Sequence, residues 1–197
     1  MLVGLVLVVG VLAITGCGVS SEAGRANTPP ATVAATPTPS GLTGYPVKVY
    51  FSRYPDSMAA TNPPNPVFAV NRVSPTTQVE EFSLQLLIAG PTPEERAQGY
   101  FTELNDAFSG SSNCAGALPV DGPDFTLRLN MKGTTPEQGT ATLQFCRPMT
   151  LAGDLVDGRL QAEIDATLLQ FATVKKVVIL TDHGDCFGLR GGSWCLQ

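Results

Sequence analysis

The sequence lacks most of the residue patterns on which enzymatic and metal sites depend. It contains a single histidine and a single tryptophan, and none of its five cysteines forms a Cys-x-x-Cys pair. A thioredoxin-like redox motif and a zinc knuckle therefore have no support. Gly-x-Ser-x-Gly, Ser-x-x-Lys, phosphate-loop and dinucleotide-binding motifs are also missing. We expect a protein that is not an enzyme, needs no cofactor and holds no metal ion.

Basic residues are scarce as well. Twelve Lys and Arg stand against 17 Asp and Glu, which gives a formal net charge of −5, and no segment collects the basic residues on one face. This balance argues against nucleic acid as a partner and against a polybasic membrane-binding patch. A hydrophobic content of 43% is nevertheless typical of a chain that buries a core, so we expect most of the sequence to fold.

An apolar run over residues 1–16 ends at a cysteine. The sequence there reads Ile14-Thr15-Gly16-Cys17, which is typical of the cleavage site of bacterial lipoproteins. The alternatives are a transmembrane helix and the first helix of the core, but a transmembrane helix needs about 20 apolar residues to span a bilayer. We therefore expect a signal peptide over 1–16 and a lipid on Cys17, which together place the protein at the extracytoplasmic face of the cell membrane.

The next segment, residues 17–44, has the composition of a stalk. From residue 20 it consists mainly of Ser, Thr, Ala, Pro and Gly, with almost no large apolar side chain. Such a segment cannot bury enough surface to offset the entropy lost on ordering, and its four prolines favour an extended backbone. We predict a disordered stalk that leads from the lipidated Cys17 to a domain at 45–183. A C-terminal extension with two cysteines follows at 184–197.

Four cysteines remain once Cys17 is assigned to lipid. An even number of thiols in an oxidising compartment favours two disulfide bonds. Four cysteines allow three connectivities, and the sequence alone does not exclude any of them. We favour Cys114–Cys146 and Cys186–Cys195, because the second pair flanks a glycine-rich turn that can close a short loop.

Hydrophobic periodicity divides 45–183 into strands and helices. Alternating or continuous apolar residues predict five strands, and three- and four-residue spacing predicts two main helices. The predicted strands cover 47–51, 67–73, 125–131, 140–146 and 175–181, and the helices cover 79–89 and 160–171. The order β-β-α-β-β-α-β predicts an α+β fold, in which a mixed sheet of about five strands carries both helices on one face.

Two capping motifs predict where helices begin. Thr77 and Glu80 match a capping box before the first main helix. Thr92 and Glu95 repeat the motif, with Pro93 at the first helical position, so we expect a short helix that runs to about residue 99.

A polar segment rich in Gly and Ser at 102–124 predicts a long loop around Cys114, either functional or an insertion. Parity along the strand at 140–146 places Cys146 on the outer face, where we expect this loop to cross it. The inward-facing set of that strand is Ala141, Leu143 and Phe145.

Three of these features resemble the GerMN domain of sporulation and germination lipoproteins, which also occurs in other bacterial envelope lipoproteins. They are the sequence Leu-Leu-Ile-Ala-Gly-Pro-Thr-Pro-Glu-Glu at 86–95, the hairpin with Gly-Thr-Ala-Thr-Leu at 139–143, and the helix leading into 174–180. The resemblance spans roughly 46–182. It implies a role in assembling protein complexes in the envelope, such as sporulation or signalling complexes. The loop around Cys114 and the tail depart from the family pattern.

Two places are candidates for binding. Asp182, His183 and Asp185 follow the last predicted strand, and these residue types ligate metals or hold small ligands. The alternative is an ordinary polar turn before a disulfide bond. Trp194 lies in the tail that the cysteines close, where it either packs on the domain or faces a partner.

These observations favour one function and leave another open. The favoured function is a lipid-anchored, extracytoplasmic module that binds envelope or membrane proteins and touches the membrane through the lipid on Cys17. The alternative is an envelope lipoprotein that binds a small ligand or a metal ion, using the turn at 182–185 and the loop at 102–124.

Overall fold

The computed structural model describes residues 43–59, 65–114, 122–150, 153–188 and 191–197. The predicted signal peptide, Cys17 and all of the predicted stalk except its last two residues lie outside these residues. The strands are β1 (Tyr45–Arg53), β2 (Phe68–Ser74), β3 (Tyr100–Phe101), β4 (Phe125–Lys132), β5 (Thr135–Phe145) and β6 (Lys176–Leu180). The helices are α1 (Asp56–Ala59), α2 (Val79–Ala89), α3 (Pro93–Ala97), α4 (Leu104–Ala107) and α5 (Asp154–Leu169), and a 3₁₀ turn covers Trp194–Leu196.

The predicted α+β class is confirmed, with two three-stranded sheets in the described part of the chain. In the first sheet β1 lies between β2 and β3 and is antiparallel to both. In the second, β5 lies between an antiparallel β4 and a parallel β6. The five predicted strands are present but do not form one sheet. Strand β3 pairs with the end of β1 at Ser52 and Arg53, and the N–H groups of Lys48 and Tyr50 donate to the side chains of Gln170 and Thr167 instead of to another strand. Two residues are too few for an alternating pattern to reveal β3.

The hairpin of β4 and β5 is longer than predicted. The chain reverses at Gly133 and Thr134, and β5 begins at Thr135, whereas the sequence pattern predicts a turn over the whole of 132–139. The extra residues lie in a bulge of β5, which has four residues between the Leu129–Ala141 and Met131–Pro136 pairs where β4 has only Asn130. Asn130 has a φ of 57°, and its Oδ1 accepts a hydrogen bond from the Gly139 N–H at 3.0 Å.

The two predicted capping boxes have different outcomes. The first is wrong: Gln78 is the N-cap of α2, and no side chain caps this helix. The Glu80 carboxylate instead accepts a hydrogen bond from the Thr173 hydroxyl at 3.3 Å. The second is confirmed at α3, where the Thr92 hydroxyl accepts from the Glu95 N–H and the Glu95 carboxylate accepts from the Thr92 N–H.

Replacing Thr92 with alanine removes one half of this capping box. We expect the free energy of unfolding to fall by about 1 kcal/mol, since a helix N–H loses its acceptor. Urea denaturation measures the loss, and Thr92→Ser is the control that keeps the hydroxyl. An equal loss in both variants would show that the cap does not stabilise α3.

Helix α5 links the two sheets, since it packs against β1 in one and β6 in the other. It begins earlier than predicted, at Asp154, and buries Leu160, Ile164 and Leu168 at the predicted spacing. Helix α2 packs against both β1 and α5. The core between these elements includes Val49, Phe51, Leu84, Leu87, Leu143 and Phe145.

The second half of strand β5 is buried on both of its faces. Its predicted inward set, Ala141, Leu143 and Phe145, is buried as expected. The opposite face is predicted to be the outer one, but Thr142 and Cys146 there are fully buried as well. Cys146 is bonded to Cys114, whose segment lies against it. Thr142 is paired with Val178, which belongs to a second apolar cluster formed with Leu180, Cys186, Cys195 and Leu196. The predicted C-terminal extension therefore packs on the domain.

Candidate functional site

Two disulfide bonds hold the segments that surround the candidate sites. The structure joins Cys114 to Cys146 and Cys186 to Cys195, which is the pairing favoured from the sequence. The first bond ties the segment after α4 to the end of β5, and the second closes the tail on itself. Cys146 and Cys186 are both buried, so each bond is anchored in the folded domain.

The tail folds back onto the outer edge of β6. The Phe187 N–H donates to the Ile179 carbonyl at 2.9 Å, and the Thr181 N–H donates to the Asp185 carbonyl at 2.8 Å. The turn of the β4–β5 hairpin meets the tail at Leu196, where a Cβ on Gly133 would lie 2.8 Å from the leucine Cδ2. These contacts fix the tail against the C-terminal half of β6.

A groove of about 290 Å³, which we call the β6 groove, lies where β6 meets α5 and the tail. It is lined by Gln161 of α5, residues 176–179 of β6, and Phe187, Trp194, Cys195 and Gln197 of the tail. Phe187 is buried and makes an edge contact with the core residue Phe145, with 6.0 Å between ring centroids. Trp194 is 44% exposed. The groove therefore has one wall fixed by the core and one aromatic side chain at the surface.

The part of β6 beside this groove has an open backbone edge. Because the Ile179 carbonyl accepts from the tail, the backbone groups of Ile179 face away from β5. Those of Val177, two residues earlier, face the same way. Among the described residues, no hydrogen bond reaches the Val177 N–H or carbonyl on that side. Unpaired groups on an edge strand are a template on which another chain can add.

The turn at 182–185 brings together only part of the predicted binding set. The His183 Nε2 lies 3.5 Å from the Asp182 Oδ2, but the imidazole is 79% exposed whereas the Asp182 side chain is 9% exposed. Asp185 is exposed, and its carbonyl holds the turn to Thr181. The described part of the chain has no group of three or more His, Cys, Asp and Glu side chains placed to hold a metal ion.

Asp182 instead faces a polar cleft of about 500 Å³, which we call the Arg128 cleft. Its lining residues are Asn113, Cys114, Thr126, Arg128, Gln144 and Asp182. The Asn113 side-chain amide donates to the Asp182 carbonyl at 2.9 Å, and an Arg128 Nη donates to the Gln144 Oε1 at 3.3 Å. The loop around Cys114 and the turn at 182–185 thus meet at one site.

A buried carboxyl group, Glu163 of α5, lies outside both of these sites. Its side chain is fully buried, and its Oε1 and Oε2 accept hydrogen bonds from the Ser52 N–H at 2.9 Å and the Thr102 hydroxyl at 2.6 Å. Burial raises the pKa of Glu163 to about 7, although these hydrogen bonds act in the opposite direction. The nearby Glu103 raises this pKa further and forms an ion pair with Arg159. Glu163 therefore links α5 to β1 and to the segment before α4.

Sequence reasoning did not identify Arg128 or Glu163. The available signal for Glu163 was its place between Leu160 and Ile164, on the face of α5 that turns inward. A charged residue on such a face needs hydrogen-bonding partners when it is buried. Arg128 had no comparable signal, because it alternates with apolar residues as any outward-facing strand residue does.

Comparison with known proteins gives no assignment: no protein-family model, no curated protein and no solved structure matches this chain. Among the described residues, no helix combines the length and the apolar character that crossing a membrane requires.

Proposed function

We propose that this chain is a lipid-anchored, extracytoplasmic module of GerMN type that binds another envelope protein and does not catalyse a reaction. The observation that carries the proposal is the β6 groove, in which an aromatic side chain lies beside an open strand edge. Aromatic residues, tryptophan above all, are enriched at the centres of protein interfaces. Strand edges bind extended segments through main-chain hydrogen bonds, while adjacent pockets select side chains.

The construction of the groove supports a binding role. The Cys186–Cys195 bond and the hydrogen bond from Phe187 to β6 fix the tail before any partner arrives. A preformed surface loses less conformational freedom on binding than a flexible one does. The tail is also the segment that departs from the GerMN pattern, so we expect it to give this protein a partner of its own.

Anchoring is the first testable part of the proposal. Replacing Cys17 with alanine removes the site of lipid attachment, so the protein should leave the membrane fraction and lose incorporation of a labelled fatty acid. Stable attachment of a lipoprotein depends on its acyl chains, and a variant without Cys17 has no site for them, so we expect nearly complete release. Cys186→Ala, which leaves Cys17 in place, is the control. A variant without Cys17 that still fractionates with membranes and takes up label would contradict the anchor.

Partner binding is the second part. Crosslinked pull-down from membranes should recover a defined envelope protein with the native chain, and Trp194→Ala should reduce recovery about tenfold, as loss of an interface tryptophan does. Tyr54→Ala is the matched control, since Tyr54 is 68% exposed and does not line the groove. Equal recovery with all three proteins would argue against the groove, and hydrolysis of peptidoglycan or esters by the purified protein would argue against a non-enzymatic role.

A further inference from the structure

The Arg128 cleft has no part in the proposed binding of a protein at the β6 groove, and it has the features of a separate ligand site. It lies between two segments that are each held in place and are joined to one another. The Cys114–Cys146 bond holds one of them, together with a hydrogen bond of 2.7 Å from the Asn113 N–H to the Cys146 carbonyl. The other is the turn at Asp182, which the Asn113 side chain joins. The cleft is therefore preformed.

The charge of Arg128 is not compensated within the described part of the chain. No carboxylate there lies within ion-pair distance of its guanidinium, whose one hydrogen bond is the 3.3 Å contact with the Gln144 Oε1. Four other described arginines have carboxylate partners, and these are Arg53 with Asp56, Arg72 with Glu95, Arg147 with Asp124 and Arg159 with Glu103. Arg96 has no carboxylate partner among the described residues and donates to the Pro91 carbonyl instead.

The Nε of Arg128 is buried and has no hydrogen-bond acceptor among the described residues, and the Nε of the ion-paired Arg159 is in the same state. A buried donor without an acceptor is unfavourable, and few such groups persist in folded proteins without a reason. Because the Nε has almost no exposed surface, an oxygen ligand from outside binds the Nη groups, whose one contact is the long hydrogen bond to Gln144. A carboxylate suits the planar fork of a guanidinium.

The remaining lining residues indicate what else the ligand carries. Asn113 and Gln144 present amides, and Thr126 presents a hydroxyl. Asp182 adds a carboxylate whose Oδ2 lies 3.5 Å from the His183 Nε2 and which does not pair with Arg128. A ligand with a carboxylate for Arg128 and an N–H donor for Asp182 satisfies both charged groups. The volume of about 500 Å³ lies in the range of small-ligand sites.

We propose that the Arg128 cleft binds the carboxylate of an N-acylated amino acid, either as a free compound or as the C-terminal residue of a peptide. Arg128 holds the carboxylate, and Asp182 accepts a hydrogen bond from the amide N–H. The amide side chains of Asn113 and Gln144 and the hydroxyl of Thr126 supply the remaining polar contacts.

Titration of the full-length protein with N-acetylalanine tests this proposal. The resonance of the Arg128 Nε–H, identified by its loss in Arg128→Gln, should shift as the ligand binds. We expect Arg128→Gln to weaken binding at least about tenfold, as loss of a charge-assisted hydrogen bond does, and Arg128→Lys to weaken it less. Arg53→Gln is the matched control, because Arg53 is paired with Asp56 far along the sequence from the cleft residues. It should bind as the native protein does.

Two further binding measurements identify which groups of the ligand the cleft recognises. Asp182→Asn should weaken N-acetylalanine but leave acetate unchanged, since acetate has no amide N–H. Binding of N-acetyl-Ala-Ala-Ala shows whether the ligand is a peptide. Tighter binding than that of N-acetylalanine assigns a peptide C-terminus, and equal binding assigns a free N-acylated amino acid.

The proposal is overturned if the neutral N-acetylalanine methylamide binds equally well, if inorganic phosphate binds in preference, or if Arg128→Gln and Arg128→Lys both bind as the native protein does. Absence of binding by any of these probes also overturns it.

Discussion

Replacing Glu163 with glutamine should abolish most of the decrease in stability that the native protein shows as the pH rises from about 4.5 to 7. The native carboxyl has a pKa raised from 4.5 to about 7 by burial. In this window the folded protein therefore keeps a proton that the unfolded chain releases, so the free energy of unfolding falls as pH rises and levels off above pH 7. A shift of this size corresponds to about 3 kcal/mol.

The glutamine variant keeps the hydrogen-bonding side chain but cannot titrate. It should unfold with a free energy close to that of the native protein near pH 5, and it should be the more stable of the two at pH 8. Urea denaturation at a series of pH values measures both curves. Parallel curves for the two proteins would show that Glu163 does not titrate in the folded state as described.

Asp165 gives the matched control, because its pKa is also raised by burial, from 3.8 to about 6. Asp165 also lowers the free energy of unfolding as the pH rises, but at lower pH than Glu163 does, so the free energy of unfolding of Glu163→Gln should still fall with pH below about pH 6. Asp165→Asn should remove this contribution and leave unchanged the decrease in the free energy of unfolding between about pH 6 and pH 7. Together the two variants separate the contributions of the two carboxyl groups.

Removing the Cys114–Cys146 bond should cost more stability than removing the Cys186–Cys195 bond. The two pairs are 32 and 9 residues apart in the sequence, and a longer closed loop restricts the unfolded chain more. We expect paired alanine substitutions to lower the free energy of unfolding by about 3–4 kcal/mol at the first bond and about 2–3 kcal/mol at the second.

The two variants should also differ in function. Loss of the Cys186–Cys195 bond releases the tail that forms a wall of the β6 groove, so partner recovery should fall although the domain stays folded. Loss of the Cys114–Cys146 bond loosens the Arg128 cleft and should weaken N-acetylalanine binding in protein that remains folded. Urea denaturation followed by both binding assays distinguishes these effects. A reversed order of stabilities, or losses below about 1 kcal/mol in both variants, would contradict the account.

Local patterns in the sequence predicted much of the fold. The periodicity of α2 and α5, the alternation in β4 and the capping box at Thr92 were readable because each depends on residues close together in the chain. The false capping box at Thr77 shows the limit of that reasoning. Its glutamate binds Thr173, a residue that is 93 positions distant, and the local motif gave no sign of that contact.

The candidate sites depended on contacts that no local pattern records. Sequence reasoning identified Trp194 and Asp182, but the β6 groove exists because the tail returns to β6, which is an edge strand. The Arg128 cleft brings Asn113 to Asp182 across a separation of 69 residues. Alternation alone places Thr142 and Cys146 on an outer face, but Thr142 lies beside Val178 of the cluster that the tail completes, and the Cys114 segment is bonded to Cys146.

Site-specific photocrosslinking in intact cells tests the central claim, that an anchored module binds an envelope protein at the β6 groove. A photoreactive amino acid at position 194 is compared with one at position 54, which is exposed but does not line the groove. The account predicts a discrete protein adduct from position 194, none from position 54, and loss of the adduct when Cys17→Ala releases the chain from the membrane. The same adducts from both positions, or none from position 194 in the anchored protein, would contradict it.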